Sequence, residues 1–327
     1  MKFPTTLVTA LSLCSLLGAP SFAAESAASF PSKPIRIIVP YSAGGTTDLL
    51  ARIVGRHLSD AWKQPVIVEN KPGVNGMIGA DMVAKAPPDG YLLGIASPGS
   101  HAANATLYPK VTYDTIKDFT PVTLAVSAPL VLVAHPSLGV KNVKELIALA
   151  KAKPNQISYA SGGSGSSQHL AMELFNSTAG LQMTHVPYKG SAASYIDLLG
   201  GQVTLEFDVL PTAMPHIKSG KLIALAVASP IRVPQLPDVP TVAESGLPSY
   251  VSTSWYGIVA PPNLPKDILA KINAEISIAL KKPDIAETLT KAGVIIVASS
   301  PEEFAAHIKS EVAIVGKIIS SANIKAD

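Results

Sequence analysis

The chain has 327 residues, 47% of them hydrophobic and 15% charged, with 26 basic against 23 acidic side chains and a formal net charge of +3. A charge this small and dispersed, with no Lys/Arg block interleaved with aromatics, argues against a nucleic-acid or anionic-membrane partner. About 300 residues remain after a leader is set aside, enough for two domains with sizeable cores.

Residues 1–23 read as an export leader: Lys2 is a weak positive start, Leu7–Leu17 a short apolar core, and Ser21-Phe22-Ala23 a small-residue cleavage site. Cleavage is expected near Ala23, delivering the mature chain to a bacterial periplasm. Leu13 before Cys14 is too large for the usual lipobox. Removing the leader takes away Lys2, leaving +2, and takes away the single cysteine, so no disulfide is expected.

The next stretch organises the rest. Ile35–Val39 is the β-branched run of a strand covered on both faces, and Pro40, with no N–H, suits its end. Gly44 and Gly45 allow a sharp turn and close approach of a ligand to the backbone. Thr46, Thr47 and Asp48 are helix-capping types, and Leu49, Leu50, Ile53, Val54, His57 and Leu58 continue at helical spacing. Unpaired N–H groups at such a helix start form a candidate anion site.

The pattern recurs. Gln156–Ser161 runs into Gly162-Gly163-Ser164-Gly165-Ser166-Ser167 and then a helical stretch, Leu170–Ser177, closed near Gly180. Each copy is followed by a strand ending in a polar Lys/Gly turn (Pro65–Gly73 and Met183–Gly190), a second helix (Met77–Lys85 and Ala192–Leu199) and a third strand (Tyr91–Ser97 and Val203–Val209). Two such units make an α/β fold of two lobes with a cleft between them, each offering a glycine loop at the carboxyl end of its first strand, where ligands of open α/β sheets bind.

Two runs read as crossings. Phe119–Val126 continues through Pro129 into Leu130–Ala134, broken at the proline as for a chain passing between sheets, and Val251–Ala260 returns. The expected division is 30–126 plus 252–327 for lobe 1 and 127–251 for lobe 2. Helices are expected at Lys266–Lys282 and Pro301–Ile319, with a strand at Val294–Val297 between them.

Enzyme signatures are mostly missing. There is no G-x-x-x-x-G-K-[ST]; Gln168 stands where a dinucleotide fingerprint needs its third glycine; Gly165 follows Ser164 directly, so there is no nucleophile elbow. The seven histidines show no metal-ligand spacing. No cofactor is expected. Ser166 and His169, one helical turn apart, are the basis of an alternative, a serine hydrolase.

A binding site has more support. Candidate ligand contacts are Tyr41, Gly44, Gly45, Thr46, Thr47 and Asp48 on the first loop, and Ser161, Gly165 and Ser166 on the second. Ser97 and Ser100 close the third strand of the first unit, and Asp208 ends the matching strand of the second. Asp48 either caps its own helix or touches ligand. Asp208, a charge at the end of an apolar strand, either meets a ligand amine or hydroxyl or anchors the Leu210-Pro211-Thr212 turn.

Pro31–Arg36, Val39–Gly45 with Asp48, Val68–Gly73, Tyr113-Asp114 with Lys117-Asp118-Phe119, Gly163–Leu170, Val186–Gly190 and Gly220–Leu222 with Leu225–Val227 follow one another in an order that resembles the Bug-type periplasmic receptors of tripartite tricarboxylate transporters. The likeness runs from Phe30 to the C-terminus. It implies a Venus-flytrap binding protein without enzymatic activity, serving membrane transporter subunits. It also implies a carboxylate held at the first glycine loop by main-chain groups and waters, with the second lobe closing over it. A monomer is expected. A receptor that signals to a sensor partner would use the same binding chemistry.

Overall fold

A computed structural model describes residues 27–291, 293–321 and 324–326; the leader lies outside them. The chain runs β1 (Ile35–Val39), α1 (Thr46–Trp62), β2 (Val66–Asn70), α2 (Met77–Ala84) and β3 (Leu92–Ala96). A π-helical turn (Gly99–Ala103) then leads into α3 (Asn104–Leu107) and the long β4 (Thr120–Ala134). The second unit follows: α4 (Val143–Ala152), β5 (Ser158–Ser161), α5 (Ser167–Ala179), β6 (Thr184–Pro187), α6 (Ser191–Leu199), β7 (Leu205–Val209), α7 (Leu210–Lys218) and β8 (Ile223–Val227). After β9 (Thr253–Ala260) come α8 (Lys266–Lys281), α9 (Pro283–Lys291), β10 (Ile295–Ile296) and α10 (Pro301–Ser321).

The strands form two sheets that share β4. The first has the order β2-β1-β3-β9-β4-β10 and the second β8-β4-β7-β5-β6. In each, three strands of the repeated unit are parallel (β2-β1-β3 and β6-β5-β7), and the third of them meets an antiparallel neighbour, β9 or β4. The duplication legible in the sequence is thus a duplication of sheet topology, and it sets the carboxyl ends of β1, β3, β5 and β7 around one space.

Pro129 does not break the crossing strand. β4 is continuous over 15 residues, and Pro129 pairs with Thr253 of β9. The tolerance has a local cause: Thr120–Pro129 pairs with β9 through two register shifts, whereas Leu130–Ala134 pairs with β7 and β8. Proline therefore sits at the changeover, where losing a ladder N–H costs least. One core of buried aliphatic and aromatic side chains runs through both sheets, from Ile35, Ile37 and Val54 to Leu132, Phe175, Phe207 and Tyr250.

Other elements depart from the expected bounds. α5 starts at Ser167, three residues before the first apolar position, because Ser166 caps it by accepting the His169 N–H at 3.3 Å. The stretch after Asp208 is the first turn of α7, not an isolated turn, with Pro211 in the N-terminal positions where its missing N–H is harmless. α4 and α9 carry no glycine or motif that marked them in advance.

Candidate functional site

The cavity between the two units is bordered by the starts of three helices: Gly45, Thr46 and Thr47 at α1, Ser166, Ser167 and Gln168 at α5, and Gly190 and Ser191 at α6. Gly99, opening the π-helical turn, joins them, and Tyr41, Ser97 and Tyr256 complete the wall. The empty space is about 450 Å³, the mouth included. No charged side chain lines it. Its polarity comes from neutral hydroxyl and amide side chains and from helix N-termini, whose first N–H groups have no intrahelical partner and carry the positive end of the helix dipole.

At α1, Gly44 adopts φ +90°, a left-handed conformation that favours glycine, and Gly45 is the extended cap residue with no side-chain cap. Thr46, Thr47 and Asp48 are therefore inside the helix and not its cap. Asp48 does not face the cavity. Its Oδ2 accepts from the Gly44 N–H at 3.1 Å and Arg52 Nε at 2.9 Å, and its Oδ1 accepts from Asn70 Nδ2 at 3.1 Å. Burial alone would raise its pKa; the hydrogen bonds from Arg52, Gly44 and Asn70 outweigh it and hold the carboxylate below its usual range. Asp48 braces the glycine turn from behind.

Tyr41 reaches the cavity. Its hydroxyl lies 3.0 Å from Ser97 Oγ and donates to Asn75 Oδ1 at 3.4 Å, and burial pushes it up to about 12, so it stays protonated. Ser100 stands one step behind, 3.1 Å from Ser97 Oγ and 2.9 Å from His101 Nδ1, wholly buried and off the wall.

On the second loop Ser166 lines the cavity, but Ser161 and Gly165 do not. Ser161 Oγ holds the loop, bonding to Gly163 and to His185 Nε2 at 2.6 Å. Gly165, at φ +79°, faces the other unit: a Cβ there would lie 2.5 Å from Leu107 and 2.9 Å from Asn75 Nδ2. Its N–H donates to His169 Nδ1 at 3.0 Å, and the His169 ring stacks on His185 with centroids 3.7 Å apart. Burial, then the neighbouring His185, moves His169 down to about 3. The His169 Nδ1 lone pair is thus engaged by Gly165, and Ser166 Oγ accepts from the His169 backbone N–H.

Asp208 is fully buried and touches no part of the cavity directly. Its Oδ1 accepts three hydrogen bonds, from Val209 N–H at 2.8 Å, Ser191 Oγ at 2.9 Å and Gln168 Nε2 at 3.0 Å. Beside it on β7, Glu206 is also buried, and its carboxyl oxygens lie 2.9 Å from Ser194 Oγ. Desolvation, then the Asp208 charge, raises Glu206 well above its usual value, and desolvation lifts Asp208 to about 6. Glu206 is thereby biased towards its protonated form, and the Ser194 hydroxyl beside it lies within hydrogen-bond reach of both its carboxyl oxygens and of Ser191 O.

Gln168, Ser191 and Tyr256 are among the wall residues that escaped the sequence reading. The repeat held a signal for Gln168 and Ser191. Gln168 sits in the first turn of α5, where Asp48 and its neighbours sit in α1, and Ser191 opens α6, the counterpart of α2. Tyr256 comes from the crossing strand β9, which has no partner in the repeat.

The units touch across the cleft. Ser42 Oγ donates to Lys189 O, Thr46 Oγ1 lies 3.2 Å from Thr212 Oγ1, and Leu170 of α5 packs with Ala103 and Leu107. The structure is that of a closed cleft. Among the described residues, no group of His, Cys, Asp and Glu is arranged to hold a metal, and no helix is long and apolar enough to cross a membrane.

Comparison with known proteins agrees with this architecture. The profile of the tripartite tricarboxylate transporter family receptor matches residues 50–324. Protein BugT of Bordetella pertussis is 38% identical over 288 residues, which cover 88% of each chain. Among solved structures, R. palustris Rpa4515 with adipate superposes with a TM-score of 0.89 at 36% identity, covering 91% of this chain and 100% of that one. MatC from Rhodopseudomonas palustris with bound malate does so with 0.85 at 32% identity, covering 89% of this chain and 100% of that one. The two-lobed fold is that of the periplasmic binding proteins, and the chain belongs to the family of solute-binding receptors of the tripartite tricarboxylate transporters.

Proposed function

We propose that the protein captures a small organic carboxylate in this cavity and delivers it, as a periplasmic monomer freed of its leader near Ala23, to the membrane subunits of a tripartite tricarboxylate-type transporter. The observation that carries the reading is the convergence of the α1, α5 and α6 N-termini on one enclosed space with no charged wall. Such a site favours an anion through main-chain donors and dipoles, and without a fixed cation it binds a carboxylate reversibly. The adipate and malate in the two similar structures are of this chemical class.

In this reading, residues 30–126 plus 252–327 and residues 127–251 move as two bodies about β4 and β9. The open cleft admits the ligand to the start of α1, and α5 and α6 close over it. The ligand shifts the balance only by its greater affinity for the closed form. Ser42 with Lys189, and Thr46 with Thr212, hold that form, and its surface is what the transporter reads. No catalytic step is needed.

Titration calorimetry of the mature protein tests the proposal. Dicarboxylates should bind and neutral sugars should not. Thr47→Val removes a cavity hydroxyl at constant shape and should weaken carboxylate binding by about tenfold, the worth of one hydrogen bond to a charged group. A sugar bound tightly, with no carboxylate bound, would overturn the reading.

A further inference from the structure

A second hollow adjoins the start of α1. It takes up about 470 Å³, the mouth included, and is bordered by Gly45, Thr46, Leu49 and Arg52 from α1 and its approach and by Pro211 and Thr212 from the start of α7. Gly45 and Thr46 border the ligand cavity as well, so the same two residues stand between the two spaces. α1 belongs to the first unit and α7 to the second, and they meet where Thr46 Oγ1 lies 3.2 Å from Thr212 Oγ1. The hollow therefore has both its sides only while the units are together. Parting them removes the side made by α7.

Its chemistry differs from that of the ligand cavity. Leu49, 38% exposed, and Pro211 give it apolar surface from either unit. The Arg52 side chain is 55% exposed. Its Nε donates to Asp48 Oδ2 at 2.9 Å and its Nη2 to Asn70 Oδ1 at 3.4 Å, which fixes the guanidinium and leaves Nη1 without a partner among the described residues. Asp48 is buried and accepts hydrogen bonds on both its oxygens, so it holds Arg52 in place and is not itself open to a partner. An apolar notch beside a fixed, half-exposed guanidinium suits an apolar side chain next to a carboxylate.

We infer that this hollow is where a membrane subunit of the transporter recognises the closed receptor, through a periplasmic loop that sets an apolar side chain between Leu49 and Pro211 and a carboxylate on Arg52. This rests on the transport reading above and deepens it by naming the surface. The position on the seam is what matters. A patch within either unit is the same in both forms and carries no information about the ligand. A partner held by both sides of the hollow binds the closed form more tightly than the open one, so it selects receptors that carry ligand. By linkage, ligand strengthens docking by the same factor as docking strengthens ligand binding.

The test exploits the mature chain's lack of cysteine once Cys14 has left with the leader. Leu49→Cys is purified and half of the preparation is capped with a bulky maleimide; Ile278→Cys on α8, at a position 53% exposed, is treated alike. Calorimetry reads binding of the tightest dicarboxylate from malonate to adipate, and liposomes holding the transporter's membrane subunits read its uptake. Capping Leu49→Cys should leave the dissociation constant within about threefold and slow uptake at saturating acid by roughly tenfold or more, the loss expected when a central apolar anchor is blocked. Capping Ile278→Cys should change neither. Leu49→Ser, which empties the notch without adding bulk, should also slow uptake with the dissociation constant unchanged. Equal uptake from both halves of Leu49→Cys overturns the inference and leaves the transport reading standing, and so does a loss of uptake no larger than the loss of ligand binding. A native dimer that capping turns into a monomer, seen by light scattering, would seat a second copy of the chain in the hollow and overturn it too. If the native protein binds no acid of the series, the carboxylate reading falls, and this inference with it.

Discussion

Single side chains here are chosen for what they do to a neighbour's protons. Glu206 and Asp208 lie two residues apart on β7, both fully buried, with no ion pair among the described residues. Burial raises both, so each binds its proton more readily in the folded chain than in the unfolded one. The stability they contribute is present below their unfolded values and is lost as pH rises through their folded ones. Glu206→Gln should therefore raise the melting temperature at pH 8 by roughly 3 °C or more, with the gain shrinking on acidification and vanishing near pH 4. Melting curves across that range check it. His101 and His169 pull the other way: burial lowers each to about 3, so their contribution is lost as pH falls from about 6.5 towards 3. A double His101→Phe and His169→Phe protein should accordingly lose less stability than the native one between pH 6.5 and 4.

At the scale of elements, the glycine loops divide their labour. Gly44 is needed for the turn into α1, whereas Gly165 is needed for contact between the units, where a Cβ would press on Leu107 and Asn75. Gly165→Ala should leave a folded protein that closes poorly. The expected result is a fall in ligand affinity of tenfold or more with a melting temperature lowered by only a few degrees, the cost of alanine in a left-handed conformation. Calorimetry and a thermal melt on one preparation separate the two effects. Much at this scale was legible in advance. The strand–glycine–helix units were readable because a buried strand, a glycine turn and an amphipathic helix each leave a local periodic trace. The continuity of β4 through Pro129 was not, because a proline is admitted or refused by what its neighbours pair with, and those neighbours are β9, β7 and β8, far along the chain.

For the whole molecule, closure is the property on which capture depends. Contacts between the units include the polar pairs Ser42 with Lys189, Thr46 with Thr212 and Gln235 with Thr290, and the apolar cluster in which Leu170 meets Ala103, Leu107, Val315 and Ile319. In the proposed reading, a bound carboxylate shifts the open–closed balance by its greater affinity for the closed form. Small-angle scattering should show a smaller radius of gyration with saturating ligand than without, and Gly165→Ala should abolish most of that contraction. An unchanged radius in the native protein would mean that capture does not proceed by closure of the two units.

The sequence by itself determined the two α/β units, the glycine loops that face one cleft and the wall positions Tyr41, Thr46, Thr47, Ser97 and Ser166, since each follows from residues within one helical turn or one strand. The tertiary structure alone decided which candidates stand behind the wall. Asp48 is drawn back by Arg52 and Asn70, Ser161 by His185, and Asp208 by Gln168 and Ser191. The partners in each case lie up to 40 residues apart, and which polar side chain is drawn behind the wall is settled when those partners meet in space.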